Sequence, residues 1–311
     1  MNPYKTPFPR LSGDFVTIYR PAGDIYKGLD TDYFTSGTYY ESWTTNDFSI
    51  LNDNGNWHLV GITHPTPPDF IDEFIPIKNW HEAEHMLFHA TAQGKTLADV
   101  LKDSAFTDRE KILYPQERPD ERPECHAPHI LPDGQGGYRI FYGPKFMRLA
   151  ETRDFVNYNR RVLFEDRPTA RDPFIFEDEG VYYYLYAVEE RVEYRTTTDF
   201  VNFSEAKVLQ VNPWLNRDGT GASSESPCMF KRKGFYYLMW SIWDDYAGAY
   251  DHRCFLFGAK SIEELAHTAP LTVLPAHAGE YYSDESGDYL LSVFYPENGI
   301  SAAPLVWEND D

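Results

Sequence analysis

One phrase recurs five times along this chain. Each copy opens on a polar side chain, crosses an apolar stretch to a turn glycine, and continues into a second, aromatic-rich stretch. Asp47 opens DFSILNDNGNWHLVG, His126 opens HAPHILPDGQGGYRIFYG and Asp172 opens DPFIFEDEGVYYYLYA. Glu225 opens ESPCMFKRKGFYYLMWS and His277 opens HAGEYYSDESGDYLLSVFY. The offsets from the opening residue to Gly55, Gly134, Gly180, Gly234 and Gly287 are 8, 8, 8, 9 and 10. Self-similarity of this kind restricts the chain to repeated copies of one supersecondary unit.

Each copy reads as strand, tight turn, strand. The turns NDNG, PDGQGG, EDEG, KRKG and DESG supply residues that accept positive φ, as short hairpin connections require. The flanks are rich in Tyr, Phe, Val, Ile and Leu, which suit a pleated, half-buried surface. The openings are separated by 79, 46, 53 and 52 residues. Gaps near fifty fit a four-stranded blade, so the pattern predicts an all-β chain folded as a five-bladed β-propeller, a single domain over 1–311. A second echo keeps the same phase: TRDFVNY (152–158) returns as TTDFVNF (197–203), each after a hairpin and before the next opening.

In a propeller the first strands of all blades run the same way, so their starts converge on one mouth. Asp47, His126, Asp172, Glu225 and His277 are therefore expected at equivalent places around one funnel. Five ionisable residues there point to a site, since packing alone favours small or apolar residues.

Composition narrows the partners. The formal net charge is −21, which argues against nucleic acid or an anionic membrane surface. Aromatics make up 16% of the chain; most belong in strand cores, and the excess also permits sugar stacking. Cys125, Cys228 and Cys254 form neither a disulfide framework nor a metal-type spacing. No basic-then-apolar leader opens the chain and no run reaches membrane-spanning length, so the expected location is cytoplasmic, or secreted with the signal already removed.

Residues 1 to about 40 read as a lead-in that contributes strands closing the propeller. The long first gap holds PTPPDFIDEFIPIKNWHEAEHMLFHATA, with a Pro-rich loop at its front and HMLFHATA as a returning strand. It is also the expected place for pocket-shaping or subunit contacts. Short helices are expected at 96–104 and at 261–267, where Ser261 and Glu264 make a capping-box pattern. DERPE and NRDGTGASSE read as loops leading to openings two and four.

Hydrolysis of a glycosidic bond needs a proton donor for the leaving oxygen and a second carboxylate across the ring, which activates water or attacks directly. Asp47, Asp172 and Glu225 are candidates on three different blades. Glu225, the longer side chain, preceded by small residues, suits the donor, whose pKa a nearby ionised Asp would raise.

The order Asp47, then Asp172 in RDPFIFEDEGVYYYLY, then Glu225 in ESPCMFKRKGFYYLMWS resembles glycoside hydrolase family 43 and its furanosidase relatives. The resemblance covers most of the chain. It implies a five-bladed propeller with Asp47 as base, Asp172 as the residue that tunes and orients, and Glu225 as acid, acting by inversion on arabinofuranoside or β-xyloside linkages. It further implies that HAPHI is the second-blade segment usually written with Ala-Pro, that His277 is the fifth-blade histidine near the channel centre, and that a calcium-type ion is possible there, with no cofactor required. Asn46-Asp47, the RDP of 171–173 and the HATA of 89–92 lean towards families 32 and 68. Glu225 is followed by Ser-Pro rather than Cys, however, and no β-sandwich follows the propeller.

The bland readings stand beside these. Asp53, Asp133 and Asp178 sit in turns and are better turn residues than catalysts. Asp30, Asp32 and Asp53 compete with Asp47, which phase alone selects. His126, His277, Arg171 and Trp43 are candidates for substrate contact; for Trp43, as for Trp240 and Trp243, core packing competes. An inverting pair predicts roughly 6.5–9.5 Å between the Asp47 and Glu225 carboxyls, a retaining pair about 5–5.5 Å. The alternatives are a β-fructosidase-like hydrolase and a non-catalytic sugar-binding propeller. A lectin-type propeller repeats one binding residue per blade, whereas these openings divide into D, H, D, E and H. A phosphorylase would want a basic cluster, and none stands near the openings. The expected partner is an oligo- or polysaccharide; the oligomeric state is left open.

Overall fold

A computed structural model describes residues 6–66, 83–165, 167–243, 252–293 and 297–309 of the chain. Each predicted hairpin forms, and its geometry follows from the turn residues. In blades I, III and IV the two central residues both have positive φ: Asn54 and Gly55 at 53° and 90°, Glu179 and Gly180 at 52° and 81°, Lys233 and Gly234 at 47° and 76°. That is the type I′ pattern, whose twist matches the strands it joins. These turns set the registers Asp53↔Asn56 and Arg232↔Phe235.

Four of the hairpins grow into four-stranded sheets, and the fifth into a five-stranded one in which Val16–Tyr19 also pairs with Ile300–Glu308. Blade I is Trp43–Asp53, Asn56–Pro65, Met86–Gln93 and Thr107–Asp108; blade II is His126–Pro132, Tyr138–Gly143, Phe146–Thr152 and Asn159–Glu165. Blade III is Ala170–Asp178, Val181–Val188, Arg191–Thr197 and Lys207–Val211; blade IV is Ser223–Arg232, Phe235–Trp243, Arg253–Ala259 and Thr272–Pro275. Blade V takes three strands from the C-terminal end, His277–Asp284, Gly287–Val293 and Ile300–Glu308. Its fourth is the N-terminal strand Phe8–Leu11, in register from Phe8↔Glu308 to Leu11↔Leu305. The lead-in thus closes the last blade, as expected.

The chain's contacts divide it into two compact units. One is Thr17–Asp172 with Glu297–Ile300, carrying blades I and II; the other is Met1–Val16, Pro173–Pro296 and Ser301–Asp311, carrying blades III to V. In the first, Val60, Ile62, Leu87, Ile130, Ile140 and Ala150 pack the space between blades I and II. In the second, one cluster built on Leu185, Leu238, Trp240 and Phe257 joins blades III and IV. Another, with Phe230, Tyr237, Leu256 and Leu290, joins blades IV and V.

The two echoing stretches are one turn used twice. Asp154 Oδ1 accepts the Val156 and Asn157 amides at 2.9 and 2.8 Å, and Asp199 Oδ1 accepts those of Val201 and Asn202, both at 2.8 Å. Asn157 and Asn202 bond the other carboxylate oxygens, while Phe155 and Phe200 take φ of 58° and 55°. The helix expected at 96–104 is a single turn, Leu97–Val100, and the one at 261–267 is Ile262–Leu265 with the Ser261 hydroxyl accepting the Glu264 amide. HMLFHATA supplies the third strand of blade I. The Pro-rich front of the first gap lies outside the described residues.

Candidate active site

Four of the five openings share a backbone device, a bulge near the start of the blade's first strand. Pairing slips between Thr45 and Phe48, between His126 and His129, between Glu225 and Cys228, and between His277 and Glu280. In blades II, IV and V a residue inside the slip is left-handed, Ala127 at 42°, Ser226 at 51° and Ala278 at 46°, and in blade III Asp172 takes the same region at 57°. Bulges re-aim side chains, and left-handed non-glycine residues cluster where function demands them.

This geometry corrects the equivalence expected from sequence. Asp172 occupies the left-handed position itself. His126, Glu225 and His277 each precede it by one residue, in line with Arg171. Counting back from the type I′ turns, Asp47 is the same number of residues from its glycine as Asp172 and Ser226, although Asp47 itself is not in the left-handed region. The openings therefore form two tiers, aspartates at the bulge and glutamate and histidines one step before it.

Within the unit of blades I and II, a run of contacts links three openings. Asn46, next to half-buried Asp47, donates from Nδ2 to Glu84 Oε1 at 3.5 Å. Glu84 is 1% exposed, and its Oε2 lies 3.0 Å from His126 Nε2. His126 pairs in register with Gly143. A Cβ on Gly143 would lie 3.5 Å from the Arg171 Cα and 3.9 Å from the Asp172 nitrogen, so the chain of blade III passes directly alongside. Asp172 is buried, with Arg171 Nε 3.3 Å from its Oδ2.

The loop leading to His126 is fixed from below by two buried arginines. Arg118 donates to the carbonyls of His85, Arg122, Pro123 and Glu124, and Arg148 to those of Arg122, Gly143 and Glu124. Glu121 supplies the countercharge, 3.4 Å from Arg148 and 3.9 Å from Arg118. Guanidinium groups suit this role, because a planar fork of donors can hold several carbonyls at once. Behind them His85 is buried against the Tyr26 hydroxyl at 3.1 Å, and burial lowers its pKa to about 4.

Within the unit of blades III to V, Glu225 is half-buried and pairs with Ser241. Ser241 Oγ accepts the Ala278 amide at 3.0 Å, and Ser292 Oγ accepts that of His277 at 3.0 Å, so buried hydroxyls tie blade IV to the bulge of blade V. His277 is 3% exposed.

Some expected site residues are elsewhere. Trp43 is 1% exposed, packed with Tyr26, Phe34 and Met86, with its Nε1 bonded to the Tyr40 carbonyl and Lys111 Nζ 4.2 Å from its ring centroid. It is core and offers no sugar platform, because apolar neighbours claimed the ring first. Trp240 is fully buried, while Trp243 is partly exposed. Among the described residues no group of three or more His, Cys, Asp or Glu side chains is arranged to hold a metal ion. Glu84 was missed by sequence reading; it lies in the irregular stretch before HMLFHATA, where no repeat marks it. No described helix is long and apolar enough to cross a membrane.

No protein-family model matches the sequence, and no curated protein matches it. Solved structures do match. A thermostable family-43 glycoside hydrolase aligns with TM-score 0.59 and 13% identity over 85% of this chain and 89% of its own. An exo-1,5-α-L-arabinanase from a bovine ruminal metagenomic library aligns at 0.56 with 15% identity, over 85% of this chain and 92% of its own. A family-32 β-fructofuranosidase of Bombyx mori aligns at 0.57 with 16% identity, over 93% of this chain and 62% of its own. At these identities the likeness is one of fold, and the chain is a five-bladed β-propeller of the kind those hydrolases have.

Proposed function

We propose that this protein is a glycoside hydrolase acting on furanosidic or xylosidic linkages with inversion. Glu225 gives its proton to the leaving oxygen. Asp47 takes a proton from the water that attacks the anomeric carbon. Asp172, beside Arg171, orients the sugar and tunes the acid. The single observation that supports this most is the irregular opening repeated from blade to blade, which carries Asp47, Asp172 and Glu225 at three of its copies and holds Asp172 in the left-handed region. The fold likeness to a family-43 glycoside hydrolase and an exo-1,5-α-L-arabinanase agrees with it. A repeated bulge needed only for packing would not require an aspartate in the left-handed region at blade III.

A β-fructosidase-like hydrolase is the second reading, supported by the likeness to the fructofuranosidase and by Asn46-Asp47 with Arg171-Asp172-Pro173. A panel of aryl α-L-arabinofuranosides, aryl β-D-xylosides and sucrose, followed by proton NMR of the first-formed anomer, distinguishes the readings. The expected result is release of the opposite anomer from an arabinofuranoside or xyloside. Asp47→Asn is expected to slow that release by about 10²- to 10⁴-fold, the range of a lost general base. Cleavage of sucrose alone transfers the assignment to the second reading, and no cleavage of any member contradicts both.

A further inference from the structure

We infer that Glu84 is a positioning residue of this site, holding Asn46 and His126 so that the His126 ring meets the substrate through Nδ1. The inference rests on the hydrolase reading for its substrate, and on geometry for the rest. Glu84 is 1% exposed, and a carboxylate so deeply buried is stable only against charge or hydrogen-bond donors. Its two oxygens face different openings: Oε1 takes the Asn46 amide at 3.5 Å, and Oε2 lies 3.0 Å from His126 Nε2. The ring nitrogen is off the ideal hydrogen-bond line, so the hold on it is chiefly electrostatic.

The consequence is chemical. A carboxylate against Nε2 keeps the proton on that nitrogen, whether the ring is neutral or charged. Among the described residues Nδ1 has no hydrogen-bond partner, and it is left to bond a sugar hydroxyl. The His126 side chain keeps 18% of its surface exposed, which gives Nδ1 an approach that Glu84 itself lacks. Asn46 is bonded to Asp47 through the chain, so the same carboxylate also steadies the residue before the base. Glu84 is fixed in turn by its own backbone, whose carbonyl accepts the Cys125 amide at 2.8 Å immediately before His126. Blade I and the start of blade II are thus locked at both the backbone and the side chain of one residue.

The test is a double-variant cycle on an aryl glycoside that the native enzyme cleaves, read as KM and kcat separately, with histidine ¹⁵N NMR of the same proteins. Glu84→Ala and His126→Ala are each expected to raise KM by about tenfold, the loss of a charge-assisted contact. The pair together is expected to do no worse than His126→Ala, and Glu84→Gln to restore most of the loss. NMR is expected to find Nε2 protonated in the native protein and that preference gone in Glu84→Ala. Additive effects of the two substitutions, or a native ring protonated on Nδ1 alone, overturn the inference. If no glycoside is cleaved, the functional reading fails on its own terms, and the NMR result still decides whether Glu84 fixes the ring.

Discussion

At the scale of single residues, the chain keeps several histidines neutral by burial. His89 Nε2 lies 3.0 Å from His58 Nδ1, and both rings stack on Phe155 at 4.1 and 5.0 Å. The row continues through His58 Nε2 to the Tyr138 hydroxyl at 3.2 Å and on to Asp53 at 2.8 Å. Burial lowers the pKa of His89 to about 3 and lowers that of His58, from an ordinary 6.5. A depressed histidine means that the unfolded chain binds protons first as pH falls. The stability tied to these neutral rings is therefore full above about pH 6.5 and is lost as pH drops toward the folded values. Urea denaturation between pH 7 and 4 is expected to show a steeper loss of midpoint for the native protein than for His89→Gln. Equal slopes contradict the assignment. HATA was read as a strand carrying a family signal at His89, and the strand formed; its histidine faces a blade-to-blade contact that no local pattern reveals.

At the scale of elements, the turn aspartates turned out to do more than turn. Asp53 in blade I accepts the Tyr138 hydroxyl of blade II, and Asp178 in blade III accepts the Tyr236 hydroxyl of blade IV at 2.6 Å, with Lys231 at 2.7 Å. The two pairs occupy equivalent positions, the residue before the turn on one blade and the second strand of the next. Between blades IV and V the same positions hold Arg232 and Asp288 at 3.2 Å, a latch of reversed polarity. Hydrogen bonding to Lys231 and Tyr236 lowers the Asp178 pKa, so this latch is an ionised acceptor at neutral pH. Tyr236→Phe is expected to cost about 1–2 kcal/mol by chemical denaturation, the value of a hydrogen bond to a charged partner. No loss would mean that the latch is a surface contact only. Hairpins, turn glycines and the TRDFVNY echo were legible because each depends on residues close in sequence. The latches were not, because each joins residues more than fifty positions apart.

At the scale of the whole chain, five repeats fixed the number of blades and the lead-in closed the last of them. The site was legible as a set of openings, though not in its phase, since a bulge shifts Asp172 one step from Glu225 without altering the residue types a reader sees. Trp43 is core and Glu84 is buried against Asn46 and His126 for one reason: burial is a property of the assembled blades. The central claim is that these openings make a glycosidase with Glu225 as its acid. The most direct measurement compares wild type and Glu225→Ala on aryl glycosides of one sugar with good and poor leaving groups. A general acid matters only where the leaving oxygen needs a proton. Glu225→Ala is expected to lose about 10²- to 10⁴-fold on the poor leaving group and to cleave the dinitrophenyl glycoside at a near-native rate. Equal losses on both substrates, or no loss on either, would contradict it.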